Sequence, residues 1–77
     1  MTTDLIKLEI EKLKRPNNEK LIELLELTLK EVEACSVLNI NVALGYIKGF
    51  FELSYISEYE QELSINLLKK IYKLNES

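Results

Sequence analysis

Apolar residues recur at helical spacing along most of this chain of 77 residues. The clearest pattern begins near Asn18, where one side of a helical wheel is apolar and the opposite side is mainly glutamate. It follows a break at residues 16–18, because Pro16 disfavours the helical conformation of the residue before it and either asparagine can cap the next helix. The pattern predicts an amphipathic helix whose buried stripe consists of Leu21, Ile22, Leu24, Leu25, Thr28, Leu29, Val32 and Cys35.

A first helix is predicted before this break, over about residues 3–15. Ile6, Ile10 and Leu13 recur at helical spacing. Ile6, Leu8 and Ile10 also alternate with charged residues, as in a half-buried strand. A helix is favoured because leucine, glutamate and lysine are good helix formers, and because the chain offers no second strand for pairing.

The last helix is predicted over about residues 58–74. Ser57 and Glu60 are three residues apart at its start and match a capping box, in which each side chain accepts a hydrogen bond from the other residue's backbone N–H. Two apolar stripes follow at helical spacing, so the helix is expected to pack against two partners. The main stripe consists of Tyr59, Leu63, Leu67, Ile71 and Leu74, and the second of Ile65, Leu68 and Tyr72.

The segment 37–53 is the most apolar part of the chain, since Lys48 and Glu52 are its only charged residues. A helix that is apolar nearly all round must be covered on several sides, and so short a chain has few elements to cover it. With one cysteine and no histidine, an intrachain disulfide is impossible and the commonest zinc ligand is missing. We therefore expect a homodimer, or a complex with a partner protein, to complete the core.

The helix that contains this segment has two possible extents. Apolar and small residues keep a heptad phase from Leu21 to Leu53, which predicts one long helix over about 18–53 and an all-α bundle of three helices. Weak helix propensity leaves open a break near 36–40, which gives four helices. Asn39 in this seam either fixes the register of pairing or lies partly exposed at a bend or cap.

The predicted interface lies within and just after this apolar segment. Gly45 and Gly49 are four residues apart in a helix interior, where each costs about 1 kcal/mol relative to alanine, so we expect a close helix–helix approach within or between chains. Leu44 and Phe51 lie off the main stripe, on a face that either contacts a partner or is covered by the last helix. The predicted interface residues are Asn39, Ile40, Leu44, Gly45, Ile47, Gly49, Phe51 and Tyr55.

The residue types argue against catalysis. The chain has no histidine, no glycine-rich phosphate loop, no nucleophile beside a base and no paired metal-ligand motif, so we expect no enzymatic activity, cofactor or metal. The net charge of −3 is unlike the basic excess of nucleic-acid binders. Charges throughout residues 1–15 are unlike a signal peptide, and polar residues within 37–53 disfavour a membrane span, so a cytoplasmic location is expected.

These features favour a small protein-binding regulator, inhibitor or adaptor, of the kind that phages and other mobile elements encode. The partner protein is not specified by the sequence. A structural module that only multimerises is the main alternative. A nucleic-acid-associated accessory protein, using the basic ends of the first and last helices, is a third and weaker hypothesis.

Overall fold

In a computed structural model the described part of the chain forms a bundle of four helices with dimensions of 34 × 24 × 16 Å. The structure describes residues 2–34 and 39–76. All elements in these two ranges are helical, so the all-α prediction is confirmed. The helices are α1 (Thr2–Leu13), α2 (Glu19–Glu33), α3 (Ile40–Glu52) and α4 (Glu58–Glu76).

The chain is not helical throughout 18–53, and the four-helix alternative is the one that the structure shows. The helix α2 ends at Glu33, and the backbone of Asn39 is extended, with φ −100° and ψ 103°. The Asn39 side chain accepts a hydrogen bond from the backbone N–H of Asn41 at 3.0 Å, which caps α3. Asn39 is thus a cap and not a seam residue, whereas the predicted stripe residue Cys35 lies outside the described residues.

The helix α4, like α2, contacts each of the other three helices. Its two apolar stripes therefore serve three partners, one more than the sequence predicts. Tyr59 is the exception in the predicted main stripe, since 69% of its surface is exposed. The most deeply buried apolar residues of the core are Ile6, Ile10, Leu21, Leu25, Ile47, Leu68 and Ile71.

The first segment is a helix, and the strand alternative is wrong. Ile6 and Ile10 are buried, whereas Leu5 and Leu8 on the other side of α1 are exposed. A strand would have placed Leu8 on the same face as Ile6 and Ile10. The helical period therefore decides which leucines of α1 enter the core.

Candidate interaction surface

The side of α3 that faces away from the bundle is apolar. Val42, Tyr46 and Leu53 lie there with 55%, 57% and 67% of their surface exposed. Gly45 and Gly49 share this side on the helical wheel. These five residues define the outer face of α3. The polar residues of the helix, Asn41, Lys48 and Glu52, form a separate stripe beside it.

The two glycines leave open space on this outer face. Among residues 2–34 and 39–76, a β-carbon added at Gly45 or Gly49 would meet no atom within 4 Å beyond the adjacent residues and the surrounding backbone of α3 itself. Neither glycine has a positive φ, so the backbone does not require glycine at these positions. The predicted close approach does not occur between described elements of one chain, and the same approach to a second chain stays a prediction.

The opposite face of α3 packs into the bundle. Ala43 and Ile47 are buried there, so Ile47, which the sequence assigns to the interface, is instead part of the core. Ile40 and Leu44 are half-buried and pack against the same core. The sequence leaves two alternatives for this face, contact with a partner or cover by the chain itself. For Ile40, Leu44 and Ile47 the structure favours cover by the chain itself.

The remaining predicted interface residues are accessible. Phe51 is partly exposed at the edge of the inward face, and Asn39 is exposed at the start of α3. Gly45 is exposed and Gly49 half-buried, both on the outer face. Tyr55 is exposed just beyond the end of α3. The structure thus places part of the predicted set on the inward face of α3, part on its outer face, and Asn39 and Tyr55 beyond its two ends.

An aromatic row borders the outer face. The rings of Tyr46 and Phe50 are 6.5 Å apart between centroids, and those of Phe50 and Tyr55 are 6.4 Å apart at 62°. The Nζ of Lys20 lies 4.9 Å from the centroid of the Tyr55 ring, within cation–π distance. These contacts join two exposed tyrosines, Tyr46 and Tyr55, to one another through Phe50.

A polar cluster ties the α1–α2 turn to the start of α4. Glu60 is only 7% exposed, and its carboxylate accepts hydrogen bonds from the Arg15 guanidinium at 2.6 and 2.5 Å. The Nδ2 of Asn18 donates to Glu60 at 3.0 Å and to the carbonyl of Leu13 at 2.8 Å. The backbone N–H of Ser57 donates to Glu60 at 2.8 Å. One carboxylate therefore joins the α1–α2 turn to the start of α4.

The capping box predicted at the start of α4 is confirmed within this cluster. The Ser57 Oγ accepts from the backbone N–H of Glu60 at 3.1 Å, which completes the reciprocal pair. Asn18 stands at the N-cap position of α2, but its side chain does not cap that helix. Its Oδ1 instead accepts from the backbone N–H of Arg15 at 3.1 Å. Asn17, at φ 80°, makes the turn that permits this geometry.

The hydrogen bonds from Arg15 lower the pKa of Glu60 from 4.5 to about 2, and they outweigh burial, which raises it. Because the pKa is lower in the folded state, the stabilisation is complete above the unfolded pKa and is lost as the pH falls through the folded one. We expect the free energy of unfolding to fall by about 2–3 kcal/mol between about pH 5 and pH 2, allowing for solvent that screens the half-exposed Arg15.

Urea denaturation at a series of pH values, on the wild type and on Glu60→Gln, measures this loss. The variant should lack this part of the pH dependence, because its amide does not titrate. If the wild type and Glu60→Gln lost the same stability over this range, the acid sensitivity would come from other carboxylates.

Residues 2–34 and 39–76 contain neither a cluster of metal-ligating side chains nor a helix that could cross a membrane. There, no group of three or more histidine, cysteine, aspartate or glutamate residues is placed to hold a metal ion. In the same residues, every helix is too short or too polar to cross a membrane. Comparison of the chain with family models, with curated proteins and with solved structures gives no match.

Proposed function

We propose that this protein is a small protein-binding regulator or adaptor without enzymatic activity, and that it forms a homodimer through the outer face of α3. The main support is the exposure of Val42, Tyr46 and Leu53 around two glycines. Apolar side chains clustered on one helix face, next to open space, are typical of a surface that another chain covers.

A second copy of the chain suits this face for two reasons. The face carries no charge of its own, so two copies can meet without like-charge repulsion. It also combines protruding side chains, Val42 and Tyr46, with the space beside Gly45 and Gly49. In a two-fold dimer each helix can place its protruding side chains in the space beside the other's glycines.

The size of the face sets the expected affinity. The helix α3 has 13 residues, which corresponds to a length of about 20 Å. A pair of such helices buries less than the roughly 1,600 Å² of a standard interface, so we expect a dissociation constant on the order of micromolar. A weak dimer of this kind can exchange partners, as a regulator or adaptor must.

Replacing Gly49 by leucine tests the proposal, because the change acts in opposite directions on one chain and on the dimer. In the single chain, leucine is a better helix former in open space and should raise the free energy of unfolding by about 0.5–1 kcal/mol. In the dimer it fills the space that the facing helix needs, so the dissociation constant should rise at least about tenfold.

Thermal denaturation at low concentration and sedimentation velocity at high concentration measure the two effects separately. The control is Lys48→Leu, which adds the same side chain to the polar stripe of α3 and should leave the association unchanged. If Gly49→Leu sedimented as the wild type does at every concentration, the outer face would not be the dimer interface.

A further inference from the structure

A groove of about 1050 Å³ lies between α1 and the part of α4 from Tyr59 to Lys70, and no residue of α3 lines it. Its floor is apolar, with Leu13 and Leu63 half-buried and Leu67 buried. Tyr59 stands at its edge, exposed although it belongs to the pattern that predicts a buried stripe. The groove thus offers apolar surface that the bundle itself does not cover.

The rim of the groove is basic although the chain as a whole has a net charge of −3. Five lysine and arginine residues line it, against two carboxylates. Both carboxylates are already paired, Glu9 with Lys70 at 3.1 Å and Glu60 with Arg15. The pairing leaves an excess of positive charge around an apolar floor.

Two of these cations have no ion-pair partner among the residues that the structure describes. Lys14 pairs with Glu11 at 2.8 Å and with Glu26 at 3.5 Å. Lys12 and Lys69, on opposite walls of the groove, form no ion pair with any residue in 2–34 or 39–76. They are the positions at which carboxylates from another molecule would find uncompensated charge.

We propose that this groove binds an acidic peptide segment of a partner protein, whose apolar side chains contact Leu63 and Tyr59 while its carboxylates pair with Lys12 and Lys69. The cations and the apolar floor are complementary to such a segment, and an exposed tyrosine beside cations is a common composition of binding hot spots. Nucleic acid fits less well, because phosphate binding needs a longer row of free cations. The groove uses different helices from the dimer face, so the two sites are independent.

A titration followed by ¹H–¹⁵N NMR locates the binding. The probe is a peptide of about 14 residues that repeats glutamate and leucine at helical spacing, used at low salt because surface charge is screened as salt rises. The amide signals of Lys12, Leu63 and Lys69 should shift, and those of Val42 and Tyr46 should not. The same peptide with serine in place of leucine should bind at least about tenfold more weakly, because it lacks the apolar contacts.

A pair of charge-reversal variants tests the role of the two lysines. Lys12→Glu with Lys69→Glu should weaken binding of the probe at least about tenfold. Lys30→Glu with Lys48→Glu reverses two exposed lysines elsewhere and should change it less than about twofold, although the net charge changes equally. Sedimentation of Lys12→Glu with Lys69→Glu should match that of the wild type, and Gly49→Leu should bind the probe normally.

Three results would overturn the proposal. In the first, the peptide at millimolar concentration changes no amide chemical shift, or changes mainly the amide chemical shifts of α3. In the second, both charge-reversal pairs weaken binding equally, which would indicate a response to net charge alone. In the third, a single-stranded oligonucleotide of equal charge binds the groove more tightly than the peptide, which would make it a nucleic-acid site.

Discussion

Replacing Glu60 by alanine is expected to lower the free energy of unfolding by about 2–4 kcal/mol. The change removes the acceptor of hydrogen bonds from Arg15, Asn18 and the Ser57 backbone at once. The Asn18 amide is buried and would lose its hydrogen bond to Glu60, whereas Arg15 can turn partly into solvent. Urea denaturation followed by circular dichroism measures the loss.

Two matched variants separate the causes of this effect. Glu62→Ala removes an exposed carboxylate from the same end of α4 and should change the free energy by less than about 0.5 kcal/mol. Glu60→Gln keeps an acceptor for Asn18 or Ser57 but loses the charge that faces Arg15, so an intermediate loss is expected. Equal stability of Glu60→Ala and Glu62→Ala would show that the cluster does not hold the two parts of the chain together.

The second large effect is expected on association. Val42→Lys combined with Tyr46→Lys places two charges in the middle of the outer face of α3, and a two-fold dimer would bring four of them together. We expect the dissociation constant to rise at least about 100-fold, because apolar contacts are lost and like charges must be desolvated. Sedimentation velocity over a concentration series measures the change.

The control for this variant uses apolar residues of similar exposure on other helices. Leu5 and Leu27 are 64% and 53% exposed, and Leu5→Lys with Leu27→Lys adds the same charge outside α3. This pair should leave the dimer intact and, since both sites face solvent, should change stability little. If both pairs shifted the association equally, the effect would follow from net charge and not from the outer face.

Local signals in the sequence predict the ends of α1 and α4, the start of α2 and the end of α3 to within two residues, but not the end of α2 or the start of α3. Pro16 and the asparagines after it mark the α1–α2 turn, and Ser57 with Glu60 marks the start of α4. Such signals involve residues that are neighbours in the chain, so they can be found without the fold. The predicted helix over 58–74 differs from α4 by two residues at its C-terminal end.

The orientation of α3 could not be predicted in the same way. The heptad phase from Leu21 to Leu53 assumes a continuous helix, and it places Val42, Tyr46 and Leu53 in the buried seam. Because α3 begins anew at the Asn39 cap, the heptad phase of α2 does not fix the orientation of α3 about its own axis. In the structure α3 buries Ala43 and Ile47 instead. A segment that is apolar on both sides contains no signal that says which side faces the core.

The polar cluster shows a different limit of sequence reasoning. The capping box accounts for Ser57 and Glu60, but Arg15 and Asn18 are 45 and 42 residues away from Glu60 along the chain. Nothing in the local pattern links these positions, because the contact exists only after α1 and α4 have packed together. The excess of cations along the α1–α4 groove is hidden in the same way by the overall net charge of −3.

Sedimentation equilibrium of the wild-type protein between about 1 and 100 µM tests the central proposal most directly, since this range spans the affinity expected for so small an interface. The apparent mass should rise with concentration from the 9.0 kDa of one chain to twice that value. A mass of 9.0 kDa at every concentration would contradict the proposed dimer.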